Sequence, residues 1–416
     1  MERGGAGASG GGVEVGGARA PGRVSITTLR APRERWGGKW IRPEVERGGR
    51  VRDNGRMSYP SESDQPTSRR AARTGGYPQV AAQQPAAAGG DSRLMAGTGV
   101  GSQSTDPALS QVQQIAGQAR QAMNSVLEGK DHAVRLALIT LLAGGHLLLE
   151  DVPGVGKTLL AKSLGRVVDG SVRRVQFTPD LLPSDVLGVN LFNQESRHFE
   201  FRPGPVFANI VIADEINRAS PKTQSAMLEC MAESQASIDG TTYRMPDPFM
   251  VVATQNPIDM EGTYSLPEAQ CDRFMARISI GYPSAQAEID MLDHHVDHDP
   301  LAGLAAVTSL ESIMQARDTV RRITATPELR TYIVSLLEAT RRDPGVALGA
   351  SPRGGVQLLR AAKALAVLSG RSFVTPDDVQ SLAVDVLAHR VIAKDDDDPQ
   401  ASAEIVSQVV SRTPVH

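Results

Sequence analysis

A glycine-rich segment at residues 151–158 constrains this chain most, and it directly follows the apolar run 147–149. A buried strand that leads through a glycine-rich turn into a helix forms a phosphate-binding loop, because backbone N–H groups of the turn point at the ligand. In such a loop Lys157 reaches the β- and γ-phosphates and the Thr158 hydroxyl ligates Mg²⁺. The general pattern begins with glycine, whereas this chain has Asp151 there. The predicted nucleotide-binding residues are Pro153, Gly154, Val155, Gly156, Lys157, Thr158 and Leu159.

Two further apolar runs end in polar residues that suit phosphate chemistry. Residues 208–213 lead into Asp214 and Glu215, and residues 249–254 lead through Gln255 into Asn256. Continuous apolar runs of this kind predict parallel strands buried on both faces, and ligands bind at the carboxyl ends of such strands. We therefore predict that Asp214 holds Mg²⁺, that Glu215 acts as general base and that Asn256 orients the attacking water. By itself, an Asn-Pro pair predicts no more than a turn.

Longer blocks of sequence surround and extend these motifs. They are residues 151–158, 174–185, 204–209, 214–219, 253–257, 266–274, 349–353 and 370–379. Together they resemble the MoxR-type AAA+ ATPases, from about residue 106 to about residue 391. Aspartate at the position of Asp151 is usual in that family. The resemblance implies an α/β fold, an AAA+ P-loop NTPase with a parallel doubly wound sheet, β-hairpin inserts and a C-terminal all-α lid domain.

The same resemblance implies a role for each motif residue. Lys157 and Thr158 match the Walker A pair, Asp214 and Glu215 the Walker B pair, Asn256 sensor 1, Arg273 the arginine finger and Arg353 sensor 2. Two arginines suit the chemistry, because a finger that neutralises the transferred phosphoryl group accelerates hydrolysis by about 10³- to 10⁵-fold. The residues alone leave open a surface salt bridge for Arg273 and an ordinary helix-start arginine for Arg353. They also leave open whether Arg353 serves its own subunit or a neighbour.

The activity implied by the resemblance is Mg²⁺-dependent hydrolysis of ATP. MoxR-type proteins resemble chaperones that work as rings, here expected as a hexamer, and that mature or remodel client proteins. Their usual partners carry von Willebrand factor A domains. Three alternatives stay open: a nucleic-acid motor of the same clade, the ATPase subunit of a metal chelatase, and a nucleotide-bound scaffold without hydrolysis. Intact Glu215 and Asn256 count against the scaffold.

Composition narrows the class of partner. Lysine and arginine number 44 against 47 acidic residues, which gives a net charge of −3 and no overall basic field for nucleic acid. Aromatic residues make up 4% of the chain, so platforms for base stacking are not expected. Cys230 and Cys271 have neither metal-type nor disulfide-type spacing. The sequence shows no membrane span and no signal-peptide pattern, and we expect a cytoplasmic enzyme.

The chain divides by composition into five parts. Residues 1–105 are rich in Gly, Ala, Arg and Ser and predict a disordered tail. A start at Met57, or an RNA-binding tail with irregular Arg-Gly spacing, are hypotheses for that part. The remaining boundaries are expected at 106–283 for the ATPase core, 284–325 for connecting helices, 326–394 for the lid and 395–416 for an acidic linker and tail.

Local patterns place the remaining elements. Hairpins are predicted at 188–201 and at 236–244, and in this AAA+ clade such hairpins face the pore or a partner, although they could equally be simple sheet extensions. Apolar periodicity predicts a helix over 112–127. The pairs 326–327, 351–352 and 375–376 each predict a helix that starts with a cap and proline. His294 and His298 have metal-type spacing, with His295 between them, but a solvated helix end is the favoured interpretation.

Overall fold

The structure is a computed structural model, and it describes residues 106–256, 264, 266–282, 286, 288, 289, 300–394 and 400–415. The predicted tail 1–105, with the alternative start at Met57, lies outside the described residues. The histidine cluster at 294–298 and the acidic run 395–398 lie outside them as well. Within the described residues, no helix combines the length and the apolar character that a membrane span needs.

Short strands alternate with helices along the chain. The strands are β1 Leu147–Glu150, β2 Val172–Gln176, β3 Gly188–Asn193, β4 His198–Pro203, β5 Ile210–Asp214, β6 Gln235–Ile238, β7 Thr241–Arg244, β8 Met250–Gln255, β9 Ala276–Ile278, β10 Val346–Leu348 and β11 Ile392–Ala393. The helices are α1 Pro107–Asn124, α2 Asp131–Ala143, α3 Lys157–Val167, α4 Pro183–Leu187, α5 Pro221–Glu233, α6 Glu268–Cys271, α7 Leu310–Arg322, α8 Pro327–Arg342, α9 Pro352–Leu368, α10 Pro376–Leu387 and α11 Ala401–Arg412.

A five-stranded parallel sheet forms the centre of the first half, in the order β2-β5-β8-β1-β9. Its strands are apolar on both faces, because each face is covered by a separate core. In β5, Ile210 and Ile212 belong to the core shared with α2 and α3, whereas Val211 and Ala213 belong to the core shared with α5. This alternation explains the unbroken apolar run in the sequence. It confirms the predicted parallel doubly wound α/β sheet.

Both predicted hairpins are present as antiparallel pairs. β3 pairs with β4, and β6 pairs with β7 around a turn at Asp239 and Gly240, both with positive φ. The side-chain amide of Asn190 donates to the Asp239 carboxylate at 2.7 Å, which links the two hairpins. Phe192 and Phe199 pair edge to face on the first hairpin and are 54% and 72% exposed.

Helices follow the sheet, as predicted, and their starts agree with the capping signals. The Thr326 hydroxyl accepts from the Leu329 N–H, and Thr375 forms a capping box at the start of α10. The first helix begins earlier than predicted, at Pro107, because the Asp106 side chain caps it. The helices that follow the sheet, α7 to α11, form the helical part of the chain. Its helix α9 packs against α2, in the layer that covers the sheet.

Candidate nucleotide-binding site

The loop between β1 and α3 has the conformation that a phosphate ligand requires. Gly154 and Gly156 have φ values of 89° and 96°, a left-handed region that favours glycine. α3 begins at Lys157 directly after this turn. The first N–H groups of a helix have no partner within the helix, and the helix dipole favours an anion there. The loop can therefore hold the phosphates of a nucleotide.

Lys157 lies where strands and loop converge. Its Nζ donates to the Asp151 carbonyl at 2.5 Å and approaches the Gln255 carbonyl at 3.5 Å. Burial lowers the pKa of Lys157, while the negative charges of Asp151, Asp214 and Glu215 oppose that shift. These interactions show that the structure brings the loop lysine and the two predicted acidic residues into one site.

Asp151, which replaces the usual glycine, holds the loop to the chain that leaves β9. Its Oδ2 accepts from the Ser279 hydroxyl at 2.9 Å and from the N–H groups of Ile280 and Gly281 at 2.7 Å each. Burial by itself raises the pKa of Asp151, but these bonds and one from Val152 outweigh it, so the pKa is lowered. The carboxylate is thus a structural anchor for the phosphate-binding loop.

Asp214 ends β5 and is nearly buried. Its Oδ2 accepts from Arg174 Nε at 2.9 Å and from Arg174 Nη2 at 2.5 Å, and its Oδ1 accepts from the Thr254 hydroxyl at 2.5 Å. Carboxylate and hydroxyl oxygens are the protein ligands that Mg²⁺ uses, usually with several retained waters. Arg174 occupies both lone pairs of Oδ2, but Oδ1 has one further lone pair, so Asp214 fits a magnesium site together with Thr158, the second residue of α3.

Glu215 follows with a left-handed backbone, φ 56°, which is costly for a residue other than glycine. The Thr254 hydroxyl accepts from its N–H at 2.9 Å, so one threonine holds both acidic residues. The Gln176 amide donates to Glu215 Oε2 at 2.6 Å, and Arg218 Nε lies 3.2 Å from the same oxygen. The side chain is thereby fixed at the carboxyl edge of the sheet.

Asn256 is buried directly after β8. Because Glu150 of β1 pairs with Gln255 of β8, the residues that follow, Asp151 and Asn256, emerge side by side. The phosphate-binding loop, the Asp214–Glu215 pair and Asn256 thus share one edge of the sheet, as the strand pattern predicts.

The two predicted catalytic arginines lie elsewhere. Arg273 precedes β9, and the N–H of Met275 donates to the carbonyl of His146, the residue before β1, at 2.7 Å. Both residues stand at the amino ends of parallel strands, so Arg273 lies at the edge opposite the nucleotide site. Arg273 Nη1 donates to the Leu228 carbonyl at 2.7 Å.

Arg353 is exposed in the first turn of α9. Ser351, the cap of that helix, donates from its hydroxyl to Asp272, the neighbour of Arg273, at 2.9 Å. The charge of Arg353 also contributes to lowering the pKa of His146, which stands at the amino end of β1. Arg353 therefore lies on the side of Arg273 and away from the phosphate-binding loop.

Sequence reasoning missed three residues around these sites: Arg174, Gln176 and Arg390. Arg174 and Gln176 alternate on β2 beside β5, so polar residues at every second position of that strand were a usable signal. Arg390 has no such signal, because its charged partner, Asp272, lies 118 residues away in sequence.

Comparisons with known proteins agree with this geometry. Residues 146–276 match the model for the ATPase family associated with various cellular activities (AAA), and residues 338–409 match the AAA lid domain. The sheet, the loop and the lid thus define an AAA+ ATPase, an ATP-hydrolysing enzyme.

Individual relatives show which family of AAA+ ATPases the chain belongs to. The chain is 48% identical to the uncharacterized protein YeaC of Bacillus subtilis over 67% of this chain and 87% of that protein. It is 42% identical to the chaperone MoxR1 of Mycobacterium tuberculosis over 69% of this chain and 78% of that protein. A solved structure of a candidate ATPase from Cytophaga hutchinsonii superposes with a TM-score of 0.69 at 35% identity, covering 74% of this chain and 97% of that one. The chain belongs to the MoxR family of AAA+ ATPases.

Proposed function

We propose that this protein hydrolyses Mg·ATP in a ring, expected as a hexamer, in which each site is shared by two subunits. The observation that carries this proposal is the separation of Arg273 from the nucleotide site. Lys157, Asp214, Glu215 and Asn256 occupy the carboxyl edge of the sheet, whereas Arg273 occupies the amino edge of the same sheet. A neighbour in a head-to-tail ring would supply what one chain lacks, because such contacts join two different surfaces.

Each residue at the carboxyl edge has a distinct task in this proposal. The N–H groups of residues 153–159 hold the phosphates, and Lys157 balances charge on the β- and γ-phosphates. When bound through Thr158 and Asp214, Mg²⁺ neutralises charge on the phosphate oxygens. Asn256 orients the attacking water, and Glu215 takes a proton from it. As the water oxygen bonds to the γ-phosphorus, the bond from that phosphorus to ADP breaks.

The neighbouring subunit contributes the arginines. Arg273 would stabilise the charge that develops on the transferred phosphoryl group, by about 10³- to 10⁵-fold in rate. Arg353 lies on the same side of its subunit as Arg273, so we propose that it also serves the neighbour's nucleotide. This assigns a trans role to Arg353, which the sequence left open.

The work coupled to hydrolysis is proposed to be remodelling or maturation of client proteins, with a partner that carries a von Willebrand factor A domain. Support comes from the relative named chaperone MoxR1 and from family membership. The exposed Phe192 and Phe199 of the first hairpin offer an apolar contact for such a protein.

Two variants test the proposal together. Glu215→Gln keeps the site's shape and ATP binding but removes the base, so ATP should hold it in rings with client and partner attached. Lys157→Ala should weaken ATP binding and serves as the matched control. Mass photometry should show ATP-dependent rings for Glu215→Gln, and affinity capture with ATP should recover a von Willebrand factor A protein. Monomers both with and without ATP, or equal capture by both variants, would contradict the proposal. Turnover stimulated by DNA would favour the nucleic-acid motor.

A further inference from the structure

Arg390 is a buried cation that reaches from the helical part into the segment that carries Arg273. It ends the short turn after α10, and 1% of its side chain is exposed. Its Nε donates to Asp272 Oδ1 at 2.8 Å, and its Nη2 donates to the carbonyls of Asp272 at 3.1 Å and Phe274 at 2.5 Å. Its Nη1 donates to the carbonyls of Met275, at 3.3 Å, and Val386. One guanidinium therefore fixes the backbone on both sides of Arg273.

Asp272 is the charged partner in this arrangement. Burial lowers the pKa of Arg390, and the hydrogen bond and the charge of Asp272 oppose that shift. A buried cation needs a partner, because an unpaired charge in a protein interior is strongly destabilising. The ion pair therefore holds the Asp272 carboxylate beside Arg390.

The same carboxylate is also tied to α9. Asp272 Oδ1 accepts from the Ser351 hydroxyl at 2.9 Å, and Ser351 caps the helix whose first turn carries Arg353. Gly354 lets that turn lie against Arg390, since a Cβ there would stand 2.9 Å from Arg390 Cδ. Asp272 thus joins three elements: the segment of Arg273, the start of α9 and the end of α10.

We propose that Asp272 is a positioning residue, held by Arg390 and Ser351, that presents Arg273 and Arg353 to the neighbouring subunit as one rigid unit. The inference rests on the proposed function, in which both arginines act in trans. Any movement of the helical part is transmitted through Arg390 and Ser351 to the arginines, and therefore to the neighbour's site. The lid of one subunit would in this way regulate hydrolysis in the next.

The test mixes two kinds of subunit and measures ATP turnover. Asp272→Asn keeps the shape of the side chain but removes its charge, and it should lower turnover by about ten- to a hundredfold, as small misplacements of catalytic groups do. Glu215→Gln subunits do not hydrolyse ATP but lend intact arginines. Mixing them with Asp272→Asn subunits should therefore restore turnover well above the sum of the separate activities. Arg273→Ala should be rescued in the same way, and Asp318→Asn, which breaks an exposed pair with Arg321, should need no rescue.

The outcomes separate the inference from its premise. If Arg273→Ala is rescued and Asp272→Asn is not, Asp272 acts within its own subunit and the inference is overturned. Rescue of neither variant would overturn the shared site itself, and full turnover by Asp272→Asn alone would also overturn the inference. Thermal unfolding monitors folding of the variant. Ser351→Gly removes the hydroxyl with little loss of helix capping, because glycine is well tolerated at the N-cap position. Ser351→Gly should lower ATP turnover less than Asp272→Asn does, and mixing with Glu215→Gln subunits should restore it. Wild-type turnover would contradict a role for the contact between Asp272 and α9.

Discussion

His146 should make the stability of this protein depend on pH in mildly acidic solution. The residue precedes β1 and is buried, with Nε2 3.0 Å from the Met231 carbonyl and Nδ1 accepting from the Val251 N–H at 3.0 Å. Burial, above all, lowers its pKa from 6.5 to about 4. A proton on Nδ1 would also face the N–H of Val251. The folded protein therefore holds a neutral imidazole with its proton on Nε2.

The sign and the size of the change in the free energy of unfolding with pH follow from the lowered pKa of His146. As pH falls, the unfolded chain binds the proton before the folded protein does, so the free energy of unfolding decreases below about pH 6.5 and levels off below about pH 4. At about 1.4 kcal/mol for each pKa unit, the difference between 6.5 and about 4 corresponds to about 3 kcal/mol. About 2 kcal/mol of this should be lost between about pH 7.5 and about pH 5.

The assay is urea unfolding of wild type and His146→Gln at several pH values in that range. The variant should be less stable at neutral pH, because two hydrogen bonds change, but its stability should fall less steeply toward pH 5. His389, buried with its pKa also lowered by burial, is present in both proteins and does not affect the comparison. His132→Gln is the opposite control, since a hydrogen bond to Asp385 raises the pKa of His132 and its contribution is lost as pH rises. Parallel pH profiles for wild type and His146→Gln would refute the reasoning.

Four further substitutions test the site and its support. Gly165→Ala should destabilise the protein by about 1–3 kcal/mol, because its Cβ would lie 2.1 Å from Val172 Cγ2. Gly117→Ala in α1, where nothing lies within 4 Å, should stabilise it by up to about 1 kcal/mol in the same urea assay, and equal effects would contradict the packing argument. Asp151→Asn should lower stability at neutral pH, and since the pKa of Asp151 is lowered, its difference from wild type should shrink as pH falls below about 4; a constant difference would be inconsistent with a charged anchor. Glu215→Gln should bind a fluorescent ATP analogue as wild type does while losing turnover at least about a hundredfold, and retained turnover would exclude its role as base.

Much of the fold follows from local sequence patterns. The apolar runs before Asp151, Asp214 and Asn256 predict parallel strands because each face of the sheet has its own core. The hairpin at Asp239 and Gly240 is predicted by its turn residues, and capped prolines mark the starts of α8, α9 and α10. β9 was missed, since Ala276–Ile278 is too short to show a period and is a strand through its pairing with β1.

The site likewise has residues whose location local sequence predicts and contacts that it does not predict. The loop, Asp214, Glu215 and Asn256 are predictable because strand ends bring them to one edge. The bonds from Arg174 to Asp214 and from Arg390 to Asp272 join residues 40 and 118 positions apart, and no local pattern specifies such pairs. The location of Arg273 at the opposite edge likewise follows from strand order and not from its own surroundings in sequence.

The shared site is the central claim, and ATP turnover measured against protein concentration at saturating Mg·ATP tests it most directly. Wild type, Arg273→Ala and Glu215→Gln are compared over a range that spans dissociation of the ring. The account predicts that the specific activity of wild type rises with concentration and that both variants lose turnover at every concentration. A wild-type activity that is already full at high dilution, and that Arg273→Ala retains, would show that one chain holds a complete site and would contradict the account.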